Sequence, residues 1–184
     1  MAQPADDFVR SMGREAIESL TGKDLSADER EHRFRNILLR SFDMPAIARF
    51  TLGRYWRVAT KAQQREYVAL FEDFVVKAYA IRFKDYSGES FQVGKVRHIN
   101  DREKLVTSQI IRAGQPPVTV QWRVRNSASA PYKVIDVIVE GVSMGITQRD
   151  EFATVIRNNG GKVEGLLSAL RQKTGRSQSA QRMQ

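Results

Sequence analysis

There is no cysteine among the 184 residues, and only two histidines, His32 and His98. The first absence removes disulfide staples, thiolate nucleophiles and zinc–cysteine sites, and leaves the compartment open, since many exported proteins also lack cysteine. The second leaves too few ligands for a metal centre: His32 falls in a helical pattern, His98 in a strand pattern, and nothing stands at ligand spacing from either. No apolar run approaches the roughly 20 residues needed to cross a bilayer. Gly160-Gly161 lacks the pattern of a phosphate loop and reads as a helix stop. No nucleophile stands beside a recognisable base. Glu72 and Asp73 are helix neighbours that do not face each other, and are expected on the solvated side. Asp136 is the one acid inside an apolar strand. A structural pairing with an arginine, or an acid/base role in a small-molecule enzyme of cone-shaped α+β fold, are the two accounts of it.

What is present is basic charge and aromatic, periodic apolar sequence. Lys and Arg number 30 against 21 Asp and Glu, a net charge of +9. Such an excess suits nucleic acid or an anionic membrane surface, or keeps the chain in solution. Single-strand readers present aromatics among basic residues on one sheet face. Here Trp122 alternates with Arg123 and Arg125 and so shares its face with valines, which argues against nucleic acid. Apolar residues make up 41% of the chain, enough for one domain with a full core. A single domain is expected over 1–175. The tail, 176–184, is polar, lacks acids and is expected to be disordered. The segment Met1 to Asp7 has neither a basic nor an apolar leader region. A native start would place the protein in the cytoplasm, and an added Met1 would mean that a signal peptide has been removed.

Helical periodicity fills the first third. Phe8, Met12, Ala16 and Leu20 line one face, with Gly22 as a stop. Ser26 and Glu29 have capping-box spacing before Phe34, Ile37 and Leu38, and Asp43 with Pro45 opens a short third helix. Thr60 and Gln63 repeat the capping box ahead of a long stripe of Tyr67, Leu70, Phe71, Phe74, Val75 and Ala78. After Gly88 the period falls to two. Strands are expected around Phe91 and Val93, over Leu105 to Ile111, over Val118 to Arg125, and over Tyr132 to Val142. The last carries Val134 and Ile138 on one side and Ile135, Val137 and Val139 on the other, the pattern of a covered central strand. Links at Asn100-Asp101, Gly114 to Pro117 and Asn126 to Pro131 are short, favouring an antiparallel meander. Two helices close the chain, through Phe152 to Ile156 and Val163 to Leu170. The fold class is α+β: a twisted antiparallel sheet of about four strands packed with N- and C-terminal helices.

Two stretches carry a resemblance. One runs from Phe42-Asp43-Met44 through Ile47-Ala48-Arg49 and Leu52-Gly53-Arg54-Tyr55-Trp56-Arg57 to Gln64-Arg65-Glu66-Tyr67 and Phe71. The other is Asp136-Val137, Val139-Glu140-Gly141-Val142-Ser143 and Arg149-Asp150-Glu151-Phe152. Together they resemble the MlaC family of periplasmic phospholipid-binding proteins, also called the toluene-tolerance auxiliary family. Met144 to Gln148 is similar to its hopanoid-associated branch.

The resemblance implies a twisted sheet and helices enclosing an apolar cavity for phospholipid tails, with the headgroup near solvent. It also implies periplasmic transfer between an outer-membrane lipoprotein complex and an inner-membrane ABC transporter complex with a substrate-binding ring. It brings no catalytic residue and no cofactor beyond the cargo, which on the alternative is a hopanoid or other polycyclic lipid. Candidates for the lining are Leu52, Tyr55, Trp56, Phe71, Phe74, Val75, Val120, Trp122, Val137, Val139, Val142 and Met144, each of a type equally suited to plain core. Tyr55 and Trp56 could instead anchor the Leu52-Gly53 turn. Arg54 and Arg149 are candidates for meeting a phosphate or a partner, or for structural ion pairs.

Overall fold

The computed structural model describes residues 3–126 and 132–176, so most of the link from Asn126 to Pro131 and the tail from 177 lie outside the described residues. The fold is α+β, and the chain divides into two compact units.

The first, the sheet unit, spans Met1–Asp43 and Tyr79–Met144. It opens with α1 (Ala5–Leu20) and α2 (Ala27–Ser41). The capping spacing at α2 acts as expected, the Ser26 hydroxyl accepting from the Glu29 N–H at 3.1 Å. Arg30 fastens the two helices together. It is 5% exposed and donates to the carbonyls of Leu20, Gly22 and Leu25, satisfying acceptors that the end of α1 and its loop leave open.

Five strands follow, β1 (Ser90–His98), β2 (Glu103–Ile111), β3 (Val118–Arg125), β4 (Lys133–Val139) and β5 (Val142–Ser143). They pair antiparallel in sequence order, the meander that the short links favour. One face of the sheet meets α1. The core there joins Val9, Met12, Leu20 and Ile37 from the helices to Val106, Val124 and Val134 from the strands.

Three expectations about β4 are corrected. The strand stops at Val139, because Glu140 and Gly141 take positive φ, 49° and 80°, and turn the chain through a two-residue hairpin that sets Val142 opposite Val139. Its phase also differs. Arg123 pairs with Asp136 but Val124 pairs with Val134, so Ile135 is the extra residue of a bulge. The bulge brings Val134 onto the face of Val137 and Val139. Nor is β4 flanked by long strands on both sides. Beyond β3 its edge is covered by the Phe42 bridge and the Asp43 N–H to the Val134 carbonyl at 2.9 Å, then by two-residue β5.

The second, helical unit spans Met44–Ala78 and Gly145–Gln184. Its elements are α3 (Met44–Leu52), α4 (Tyr55–Val58), α5 (Lys61–Ala80), α6 (Met144–Asn158) and α7 (Val163–Thr174). The capping box before α5 is reciprocal, with Thr60 N–H to Gln63 Oε1 at 3.0 Å and Gln63 N–H to Thr60 Oγ1 at 3.1 Å. Tyr67, Phe71 and Phe74 pack their rings around Phe152, at centroid distances of 6.2, 6.3 and 5.8 Å. The Tyr67 hydroxyl lies 2.6 Å from Thr51 Oγ1, and burial raises its pKa above the ordinary phenol value despite that bond.

Asp73, expected on the solvated side of α5, is instead buried, in an ion pair with Arg176. A charged residue can take a stripe position when a partner distant in sequence neutralises it.

Candidate functional site

On the helix-covered face of the sheet unit, register alone brings several predicted residues together. Val120 stands opposite Val139, Trp122 opposite Val137, and Val139 opposite Val142. Val120 is buried, Trp122, Val137 and Val139 are half-buried, and Val142 is 56% exposed at the hairpin end. Met144 follows as the first residue of α6, half-buried.

Trp122 is tied to the sheet by its one polar atom. Its Nε1–H donates at 2.9 Å to Ser108 Oγ, which donates at 2.7 Å to the Val120 carbonyl. With the indole N–H satisfied inside the sheet, the remaining surface of the ring is free to act as apolar surface. Phe42 and Phe91 meet it edge-on, at 6.5 and 6.3 Å. Phe34 and Phe83 lie 6.0 Å apart against the same core.

All five rings, with Val93 and Val137, are half-buried while packing on fully buried side chains. A row of large apolar side chains left partly open above a buried core is chemically a surface for another apolar body. Periodicity places Phe34, Phe91 and Val93, but only as ordinary stripe or strand residues. Phe42 appeared only in a motif. Their joint half-exposure has no sequence signal.

The other predicted residues belong to the helical unit. Leu52, Tyr55 and Phe71 are 2%, 8% and 3% exposed; Trp56, Phe74 and Val75 are half-buried. Gly53 has φ +60°, joins α3 to α4, and has the aliphatic stem of Arg149 3.2 Å from where a Cβ would stand. The Arg149 guanidinium lies over the Phe50 ring at 4.8 Å and 4.0 Å from the Asp150 carboxylate. Arg54 stacks on Tyr55 at 5.0 Å and donates to its hydroxyl at 3.0 Å.

The arginines of β3 face away from the apolar row, as the alternation implies, and both grip Glu103. Glu103 is 5% exposed. Burial would raise its carboxyl pKa, but hydrogen bonds from Arg125 and Arg123 outweigh this and leave it below the ordinary carboxylate range. A depressed carboxyl pKa contributes stability above the unfolded value of about 4.3, lost as pH falls through the folded value. Glu103→Gln should therefore lower the midpoint of thermal unfolding at pH 7 by about 6 °C, a loss of roughly 2 kcal/mol. It should also flatten the acid side of the stability profile between about pH 5 and 3. An unchanged acid slope in calorimetric scans would remove this role.

Asp136 is taken up by the β4–β5 hairpin. Its carboxylate accepts from the Val137 N–H at 2.9 Å and the Ser143 hydroxyl at 2.5 Å.

The family model described as MlaC protein matches residues 10–172. Among solved structures, a phospholipid-binding protein from Ralstonia solanacearum, determined in complex with a phospholipid, superposes with a TM-score of 0.84 at 21% identity. The match covers 94% of this chain and 98% of that one, and at this identity it establishes a shared fold. The family match spans nearly the whole chain: the protein belongs to the MlaC family.

Proposed function

We propose that this protein binds the acyl tails of a phospholipid against the helix-covered face of its sheet unit. It then carries that lipid through the periplasm between an outer-membrane lipoprotein complex and an inner-membrane ABC transporter complex. The observation that carries the reading is the row of half-buried rings, Trp122, Phe91, Phe42, Phe34 and Phe83, packed on a fully buried core. Membership of the MlaC family and the phospholipid held by the Ralstonia protein support it.

The energetics require such a surface. Burying an acyl chain is worth ~0.8 kcal/mol per methylene. The same tail is already buried in a bilayer, so exchange is near-neutral only onto a surface as apolar as the membrane. Trp122, Val137 and Val139 are assigned to tail contact, with Val142 and Met144 at the hairpin end and buried Val120 in the core beneath them. Leu52, Tyr55 and Phe71 are assigned to packing of the helical unit, because burial leaves them little to offer a ligand. Binding rather than catalysis also fits Asp136, whose oxygens serve the hairpin.

Tryptophan fluorescence tests both site and cargo. In a Trp56→Phe variant, Trp122 is the sole tryptophan. Loading from vesicles of bromine-labelled phospholipid should quench more than half of its emission, since bromine quenches at contact. Extraction and mass spectrometry of the same sample should return a stoichiometric phospholipid. Lipid recovered without quenching would displace the site. A hopanoid in place of phospholipid would change the cargo class, and an empty extract would overturn the function.

A further inference from the structure

The helical unit carries a second feature that lipid binding at the sheet does not use. From Met44 to Arg65 the sequence holds Arg49, Arg54, Arg57, Lys61 and Arg65 and no acid. The same stretch leaves Phe50 and Val58 exposed, at 43% and 69%, and Ile146 on α6 is 46% exposed. Contacts and helix spacing gather Arg49, Phe50, Arg54, Val58, Ile146 and Arg149 around the α3–α4 turn, with Arg57 beside Val58 in α4. Arg149 lies over Phe50 and against Gly53, and Ile146 precedes Arg149 by three residues on one face of α6. Arg54 and Val58 are four residues apart around α4, while Arg49 lies over the Trp56 ring at 5.8 Å. Asp150 lies 4.0 Å from Arg149 at the edge of this group.

We infer that this arginine and apolar surface around the α3–α4 turn docks the protein on an anionic bilayer. Two properties favour a membrane over an acidic protein. The cations are guanidinium groups, three of them laid on aromatic rings, so each charge comes with an apolar face suited to the headgroup boundary. The uncharged side chains beside them are large, apolar and solvent-facing, able to enter the interface while the arginines meet lipid phosphates.

The test is flotation of the full chain with vesicles of phosphatidylcholine alone or with 40% phosphatidylglycerol. The wild-type protein should float with the anionic vesicles, and binding should fall steeply between about 50 and 300 mM salt. Arg57→Glu, a change of two charges, should weaken binding about 25-fold, at roughly fivefold per charge. Arg102→Glu, an equal charge change on the sheet unit, should have less than a threefold effect. Val58→Asp should weaken binding without altering salt dependence as strongly. Retained phospholipid, measured by extraction, should be equal in all variants, which separates failure of docking from failure of the lipid site. Equal losses in Arg57→Glu and Arg102→Glu would reduce the effect to net charge and overturn the inference. So would absence of flotation, or capture of an acidic protein by the same face in place of vesicles.

Discussion

Val137→Asp should empty the protein of lipid while leaving it folded. Val137 stands opposite Trp122 on the helix-covered face and is half-buried, so in the unliganded protein the new carboxylate can keep part of its hydration. A bound acyl chain would remove that water and supply no partner. The cost falls on the lipid-bound state alone, about 3 kcal/mol or more for an unpaired charge, which is a loss of over 100-fold in retention. Dehydration raises the pKa of a carboxyl, so lipid retention should partly recover as pH falls toward about 5. Gln121→Glu, on the opposite face of the neighbouring strand, should leave the lipid load unchanged. Extraction and quantification of lipid across this pH range, with far-UV circular dichroism as the check on folding, decides the matter. Full lipid load in the folded Val137→Asp protein would place the tails elsewhere.

The legible parts of this fold are those whose cause is local. Ser26 with Glu29 and Thr60 with Gln63 are three residues apart, and a three-residue bond is all a capping box needs. Trp122 and the valines of β3 share a face by alternation alone. The phase of β4 was not legible, because the bulge at Ile135 arises from pairing with β3 and leaves no mark on the strand's own composition. Asp73 departs from its expected solvated position for a similar reason: its neutralising partner, Arg176, lies about a hundred residues away.

The candidate site proposed here was half legible. Its strand residues could be chosen, since they alternate with polar ones. The rings from other elements could not be told from core. A side chain lining an acyl tail and one buried against its neighbours have the same composition and spacing, and differ only in what lies on their far side. Arg123 and Arg125 likewise read as open basic surface until Glu103, some twenty residues earlier, closes on them.

Gly13 is the residue through which helix α1 sets the form of that apolar row. It sits mid-helix, where glycine costs about 1 kcal/mol against alanine, so something must offset the loss. The offset is a close approach: a Cβ on Gly13 would stand 2.5 Å from Cδ1 of Phe91, well inside van der Waals contact. The missing side chain is the seat of the Phe91 ring, and that ring in turn meets the edge of Trp122 at 6.3 Å. Gly13→Leu should therefore force Phe91 off its seat and toward the proposed lipid face. Overpacking of this kind costs about 1–3 kcal/mol, offset in part by the better helix former. Lipid load should drop about tenfold as the displaced ring takes space from the tail. Phe91→Ala should restore much of the load in the double variant, because the leucine then fills the volume that the ring vacates. The coupling is read from a double-mutant cycle on both thermal stability and lipid content. Additive effects in the cycle would mean that Gly13 and Phe91 act independently, and the seat would have no bearing on the cargo.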